Sequence, residues 1–162
     1  MDTLKELYKI GSGPSSSHTM GPQRAAKRFK EKNPNAASYR CTLYGSLAAT
    51  GKGHLTDYII EKTIEPKKVE FIWRDDINPE FHPNGMMLEA LDESGNAFDE
   101  WTVFSVGGGT LAEEGKRNQV DGKVYYEHSK LDDIIAYCKE NDKSFVEYVL
   151  DREDDDFLEY ME

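Results

Sequence analysis

"MMLEALDESGNAFDEWTVFSV", residues 86–106, decides the fold. Two runs rich in apolar side chains, "MMLEALDE" and "FDEWTVFSV", flank the polar, glycine-containing "SGN", which is a hairpin signal. Working outward, "VEFIW" at residues 69–73 alternates Val69, Phe71 and Trp73 against Glu70, the period of a half-buried strand. "YRCTLYGS" at residues 39–46 puts Tyr39, Cys41 and Leu43 on one face of another strand, and "KVYYEH" at residues 123–128 reads as a further one. "VGGGT" closes a strand with three glycines, a sign of a bulge or close backbone approach.

Helical spacing lies on both sides of these strands. "TLKELY" reads as a short turn, and residues 17–32 have helical composition with Pro22 near their start. "HLTDYIIEKTIE" spaces Leu55, Tyr58, Ile59 and Ile60 as a helix does. "LDDIIAYCKEND" and "SFVEYVLDREDDDFLEYM" repeat that period near the C-terminus. Helices at both ends of a mixed, mainly antiparallel sheet predict an α+β fold with the sheet packed against helices.

The chain has 162 residues, of which 38% are hydrophobic and 31% charged. One domain is expected over residues 1–150, with residues 151–162 an acidic helical tail or the start of a linker. No run approaches the roughly 20 apolar residues of a membrane span, and the N-terminus lacks a signal-peptide core, so a cytoplasmic protein is expected. The net charge of −11 argues against a nucleic-acid partner. The tail "DREDDDFLEYME" holds seven acidic residues and one basic residue, which reads as a solvated acidic helix face or linker. Its helical spacing runs on to the last residue without a cap, as in a piece cut from a longer polypeptide. Cys41 and Cys138 form neither a CxxC pair nor a zinc spacing, and no metal ligands are assigned in this chain.

Two motifs compete for attention and one fails. In "GSLAATGKGH" five residues separate Gly45 from Gly51 where a P-loop needs four, and Gly53 stands where a magnesium-binding hydroxyl belongs. "GSGPSSSHTMGPQRAA" at residues 11–26 crowds Ser15, Ser16, Ser17, His18 and Thr19 before a helix. One serine suffices for an N-cap, which leaves spare donors for a carboxylate at a helix N-terminus.

Of the four histidines, His18, His54 and His82 sit in Gly- or Pro-rich loops, while His128 in "YYEHSK" reads as a surface residue. His54 precedes a helix, where an imidazolium is disfavoured and a neutral ring is ready to accept a proton. It also reads as a solvent-exposed helix-start histidine. His82 reads as a turn-satisfying residue or, with Asn84 beside it, as a substrate-orienting one.

Taken together, "GSGPSSSHTMGPQRAA", "YGSLAATGKGH" followed by "TD", "FHPNGM" and "FSVGGGT" resemble the beta domain of the bacterial iron–sulfur-dependent L-serine dehydratases. The resemblance runs from the N-terminus to about Tyr137. It implies an α+β fold similar to the allosteric substrate-binding domain of some phosphoglycerate dehydrogenases. It also implies conversion of L-serine to pyruvate and ammonia, with a [4Fe–4S] cluster whose ligands lie in a separate alpha domain or chain.

By the same resemblance His54 is the candidate base. Ser15, Ser16, Ser17, His18 and Thr19 bind the substrate carboxylate or line the pocket, and His82 and Asn84 orient the substrate or the departing hydroxyl. A dimer is expected, and this chain alone is expected to be inactive. Pro83 and Thr110 depart from the family pattern.

Two other readings are a serine-sensing module without chemistry and a metal hydrolase built on His18, His54, Asp57 and His82. His54 and Asp57 are spaced to share a helix face.

Overall fold

The strand order β2-β1-β3-β4-β5 in one five-stranded sheet organises the larger part of the molecule. The computed structural model describes residues 3–7, 11–115 and 124–162. The strands are β1 (Ser38–Tyr44), β2 (Val69–Arg74), β3 (Gly85–Leu91), β4 (Ala97–Gly107) and β5 (Thr110–Ala112). β1 and β2 run parallel, whereas β1–β3, β3–β4 and β4–β5 are antiparallel. The sheet is mixed and mainly antiparallel, and the fold is α+β.

The predicted hairpin is β3–β4. Its turn is keyed two residues before "SGN", by Asp92, whose Oδ1 accepts the backbone N–H groups of Ser94 and Asn96 at 2.9 Å each. These bonds hold its carboxyl below the usual carboxylate range, with Asn96 the largest contributor. Gly95 takes the left-handed conformation that closes the turn (φ +83°).

Period two gives each strand one buried face. Tyr39, Cys41 and Leu43 of β1 and Met86, Leu88 and Ala90 of β3 pack in one core with the partly buried Val69, Phe71 and Trp73 of β2. That core is closed by α1 (Gly21–Lys32), α2 (Gly45–Thr50) and α3 (Thr56–Ile64), through Ala25, Ala26, Phe29, Leu47, Ile59, Ile60 and Ile64. Burial in this layer pushes the Cys41 thiol far up, so it stays protonated. The α3 pattern departs from expectation at two positions: Leu55 and Tyr58 are 48% and 54% exposed. Leu55 sits outside the helix in the left-handed conformation (φ +59°) and cannot continue the helical face.

Two compact units divide the chain, residues 10–118 and residues 1–9 with 119–162, so the expected boundary at residue 150 falls inside the second. This smaller unit holds a 3-10 turn (Leu4–Leu7), α4 (Leu131–Glu140), α5 (Phe145–Leu150) and α6 (Phe157–Met161). Of the expected strand at residues 123–128, Lys123 lies outside the described residues and residues 124–128 form no strand. Tyr126 is instead buried against Cys138 and Tyr148. His128 is not a plain surface residue: its Nδ1 is hydrogen-bonded to the Tyr148 hydroxyl at 3.0 Å, and its ring lies 5.2 Å from that of Tyr137.

The final helical run is broken between α5 and α6, and its acidic residues are not all solvated. Glu153 is 9% exposed. Its carboxylate accepts from the Tyr126 hydroxyl at 2.5 Å, the Thr3 hydroxyl at 2.5 Å and the Leu4 N–H at 2.8 Å. Among the described residues no helix is long and apolar enough to cross a membrane.

Glu153→Ala leaves three buried or half-buried donors without their acceptor. A loss of about 3 kcal/mol is expected for this unit, the scale for a broken buried polar cluster. Urea unfolding of the variant beside Glu153→Gln, which keeps one acceptor oxygen and loses less, measures it.

Candidate functional site

One end of the sheet gathers the loops that carry the candidate residues. β1 ends there, β3 begins there and β4 reaches the same level, with Leu43 opposite Met86 and Gly85 opposite Phe104. Against this end stands a π-helical turn, Ser16–Met20, that leads into α1. π-turns are rare and recur at functional sites.

The serine triplet divides its labour. Ser15 is the N-cap, its Oγ accepting the His18 N–H at 3.2 Å. Ser17 Oγ is bonded to His18 Nδ1 at 2.9 Å. Ser16 is exposed and its hydroxyl has no partner among the described residues. His18 Nε2 reaches Ser46 Oγ at 3.1 Å, so both ring nitrogens are held by hydroxyls.

His54 lies in the turn between α2 and α3, two residues before the helix begins. Its Nδ1 is 3.0 Å from the Thr50 carbonyl oxygen. A carbonyl only accepts, so Nδ1 carries a proton, and in the neutral ring the lone pair is on Nε2. That nitrogen has no partner among the described residues. The rings of His18 and His54 are 4.8 Å apart, tilted by 38°.

Two buried threonines hold these turns face to face. Thr19 Oγ1 donates to the His54 carbonyl at 3.0 Å, and Thr56 Oγ1 donates to the His18 carbonyl at 2.6 Å. Thr19 is 1% exposed and also accepts the Ser15 N–H, so it positions the site rather than facing a ligand.

The "FHPNGM" loop is tied in through its backbone. Ser46 N–H donates to the Pro83 carbonyl at 2.9 Å. Gly45 makes that approach possible: its φ is +49°, and a Cβ there would lie 2.6 Å from the Pro83 oxygen and 2.7 Å from Asn78 Oδ1. The Asn84 N–H donates to His82 Nδ1 at 3.2 Å, which leaves the proton of that ring on Nε2. Asn84 Nδ2 donates to the Ser105 carbonyl at 3.2 Å. Among the described residues, Asn84 Oδ1, an acceptor, and the Ser105 hydroxyl are buried without a hydrogen-bond partner. Ser105 packs so tightly on Gly21 that a Cβ at position 21 would lie 2.0 Å from its Oγ.

The structure thus brings Ser15, Ser17, His18, Thr19 and His54 together and links the His82–Asn84 loop to them through Ser46. Sequence reading missed Ser46, Thr50, Thr56 and Ser105. Ser46, Thr50 and Thr56 flank or fall within "GSLAATGKGH", but only their partners mark them: His18 for Ser46 and Thr56, far off in sequence, and His54 one turn on for Thr50. The His18 imidazole is held below its ordinary value, first by burial and then by the charge of neighbouring His54, against the Ser46 bond. Among the described residues no three His, Cys, Asp or Glu side chains come together as a metal site. The hydrolase reading on His18, His54, Asp57 and His82 therefore has no support, and Asp57 Oδ1 instead accepts the Tyr58 N–H.

A sequence model of the family described as serine dehydratase beta chain matches residues 3–68 and 60–116. An L-serine dehydratase of Haemophilus influenzae is 29% identical over 87% of this chain and 41% of its own length. One from Helicobacter pylori strain 26695 is 31% identical over 93% of this chain and 43% of its own. The L-serine dehydratase TdcG of Escherichia coli is 31% identical over 84% and 39%. The chain spans about two-fifths of the length of these curated relatives.

Thr19→Val and Thr56→Val each leave a carbonyl without its donor and are expected to cost about 1–3 kcal/mol. Because both act on one clasp, the double variant should lose less than the sum, which denaturant titration of the four proteins measures. His18 also predicts a pH dependence. Its folded value lies below its ordinary 6.5, so the unfolded chain binds the proton more readily. Its contribution is therefore intact above 6.5 and declines as pH falls through 6.5 toward the folded value. Thermal melts from about pH 7.5 to about 5.5 should show the natural chain losing stability relative to His18→Gln.

Proposed function

The chain belongs to the serine dehydratase beta chain family, and from that premise we propose that it supplies the substrate-binding and proton-abstracting half of an L-serine dehydratase. The observation that carries the reading is the His54 ring: its Nδ1–H is committed to the Thr50 carbonyl, and Nε2 is free to accept. His18 is the weaker candidate, since both of its nitrogens are engaged.

In this reading His54 Nε2 takes the proton from Cα of L-serine. The electrons of that C–H bond form the Cα–Cβ double bond as the β-hydroxyl leaves, which gives aminoacrylate. Its tautomer, an imine, takes up water and yields pyruvate and ammonia. The ring of His18, 4.8 Å away, is disfavoured as a cation by burial and then by a charge on His54, so it is the poorer acceptor of the two. The uncommitted Ser16 hydroxyl, with those of Ser15 and Ser17, suits the substrate carboxylate. His82 Nε2–H and the free Asn84 Oδ1 suit the hydroxyl and the ammonium group.

The [4Fe–4S] cluster of this proposal belongs to a separate alpha part. Nothing among the described residues of this chain fits it: Cys41 and Cys138 are single, buried thiols in different units. Departure of the hydroxyl is accordingly assigned to groups outside this chain, and the chain alone is inactive.

Mixing the chain anaerobically with a cluster-loaded alpha part should release pyruvate from L-serine. Absence of pyruvate rejects the dehydratase reading. His54→Ala should lower the rate at least ~100-fold, the scale of a general base, and near-normal turnover removes His54 from that role.

A further inference from the structure

The sheet ends on one side in β2, a six-residue strand paired only with β1. The Tyr39 N–H donates to the Lys68 carbonyl, so the even-numbered residues of this segment turn their backbone groups toward β1. Val69, Phe71 and Trp73 therefore turn theirs to the open edge, and no backbone partner meets them among the described residues. Glu70 and Arg74 put charge of both signs on this edge, and between them Ile72 is 36% exposed.

The side chains on the solvent face around it form a self-complementary series. Lys68 just before the strand and Glu70, Ile72 and Arg74 alternate along that face, all exposed, and the exposed Asp76 lies in the turn that follows. Reversed, the strand pairs Glu70 with Arg74 about the central isoleucine.

We propose that this edge is the docking surface for a second copy of the chain, the two β2 strands pairing antiparallel about a two-fold axis at Ile72. In that register Ile72 faces Ile72 of the second copy, a non-hydrogen-bonded position where side chains come closest. Phe71 stands opposite Trp73 of the second copy and exchanges both backbone bonds with it. Glu70 meets Arg74 twice. The two sheets become one of ten strands with no open edge at β2, and the contact is isologous, as a closed dimer requires.

The charged side chains already have neighbours. Arg40 Nε holds Glu70 at 2.9 Å, and Arg74 holds Asp76 at 2.8 Å. Arg40 also reaches Glu89 at 3.3 Å, so it keeps an acceptor when Glu70 turns to the second copy. The strong net negative charge of the chain opposes unspecific self-association, so the register rests on the local pattern.

Sedimentation velocity of the 162-residue chain at micromolar concentration tests this, with a dimer expected at twice the 18.5 kDa chain mass. Glu70→Arg sets Arg against Arg in the pair, and Arg74→Glu sets Glu against Glu. Each alone should weaken the dimer at least ~tenfold through two like-charge contacts. Mixed one to one they restore both pairs, and a heterodimer should form. Ile72→Lys, at an exposed position that spares the core, should also dissociate the dimer, with a thermal melt checking that the fold is kept. A monomeric natural chain overturns the proposal and leaves the edge to solvent or another protein. A dimer that survives all three substitutions, or a mixture that stays monomeric, overturns it as well.

Discussion

Two hydroxyl-to-carbonyl bonds, Thr19 to His54 and Thr56 to His18, carry the arrangement of the site. Each threonine follows one histidine and grips the backbone of the other. The clasp is reciprocal, so neither turn can shift without breaking a bond in a layer that excludes water: Thr19 and Thr56 are 1% and 0% exposed. A buried carbonyl stripped of its donor costs more than an average bond contributes. The two imidazoles are consequently held within ring contact although 36 residues separate them in the chain.

Around this clasp the site is assembled from backbone approaches that exclude side chains. Gly45 admits the Pro83 carbonyl, and Gly21 admits Ser105. Both contacts let a loop end lie against its neighbour, so main chain fixes the His82–Asn84 loop together with the bonds of the His82 ring and the Asn84 amide nitrogen. Among the described residues Asn84 Oδ1 has no partner at this buried position, an unusual state for a native side chain and one that functional sites tolerate.

The smaller unit obeys a different rule. Residues 124–162 contain thirteen acidic and four basic residues, which would repel one another in a plain helix. One of the thirteen, Glu153, turns inward and draws in Tyr126, Thr3 and Leu4. Arg152 covers the Tyr148 ring, its guanidinium carbon 3.8 Å from the centroid. The unit is thus organised by one inward carboxylate and a cluster of aromatic rings, with the remaining charge facing water.

The sequence by itself made four of the five strands legible, because a strand buried on one face needs period-two alternation that survives any change of partner; Tyr39, Cys41, Leu43, Val69, Phe71 and Trp73 all face inward. It also marked the loops that the structure gathers at one end of the sheet, since four short motifs of Gly, Pro, Ser, His and Asn suit a core badly. Residues 124–128 were misread because "VYYEH" has strand composition, while Tyr126 finds its burial against helices instead. Only the tertiary structure decided the roles inside the site: that Ser15 caps, Ser17 orients and Ser16 is free, that Ser46 joins them, and which nitrogen of His54 holds its proton. Those are properties of pairs of atoms brought together from distant parts of the chain, and local pattern holds no record of who the partner is.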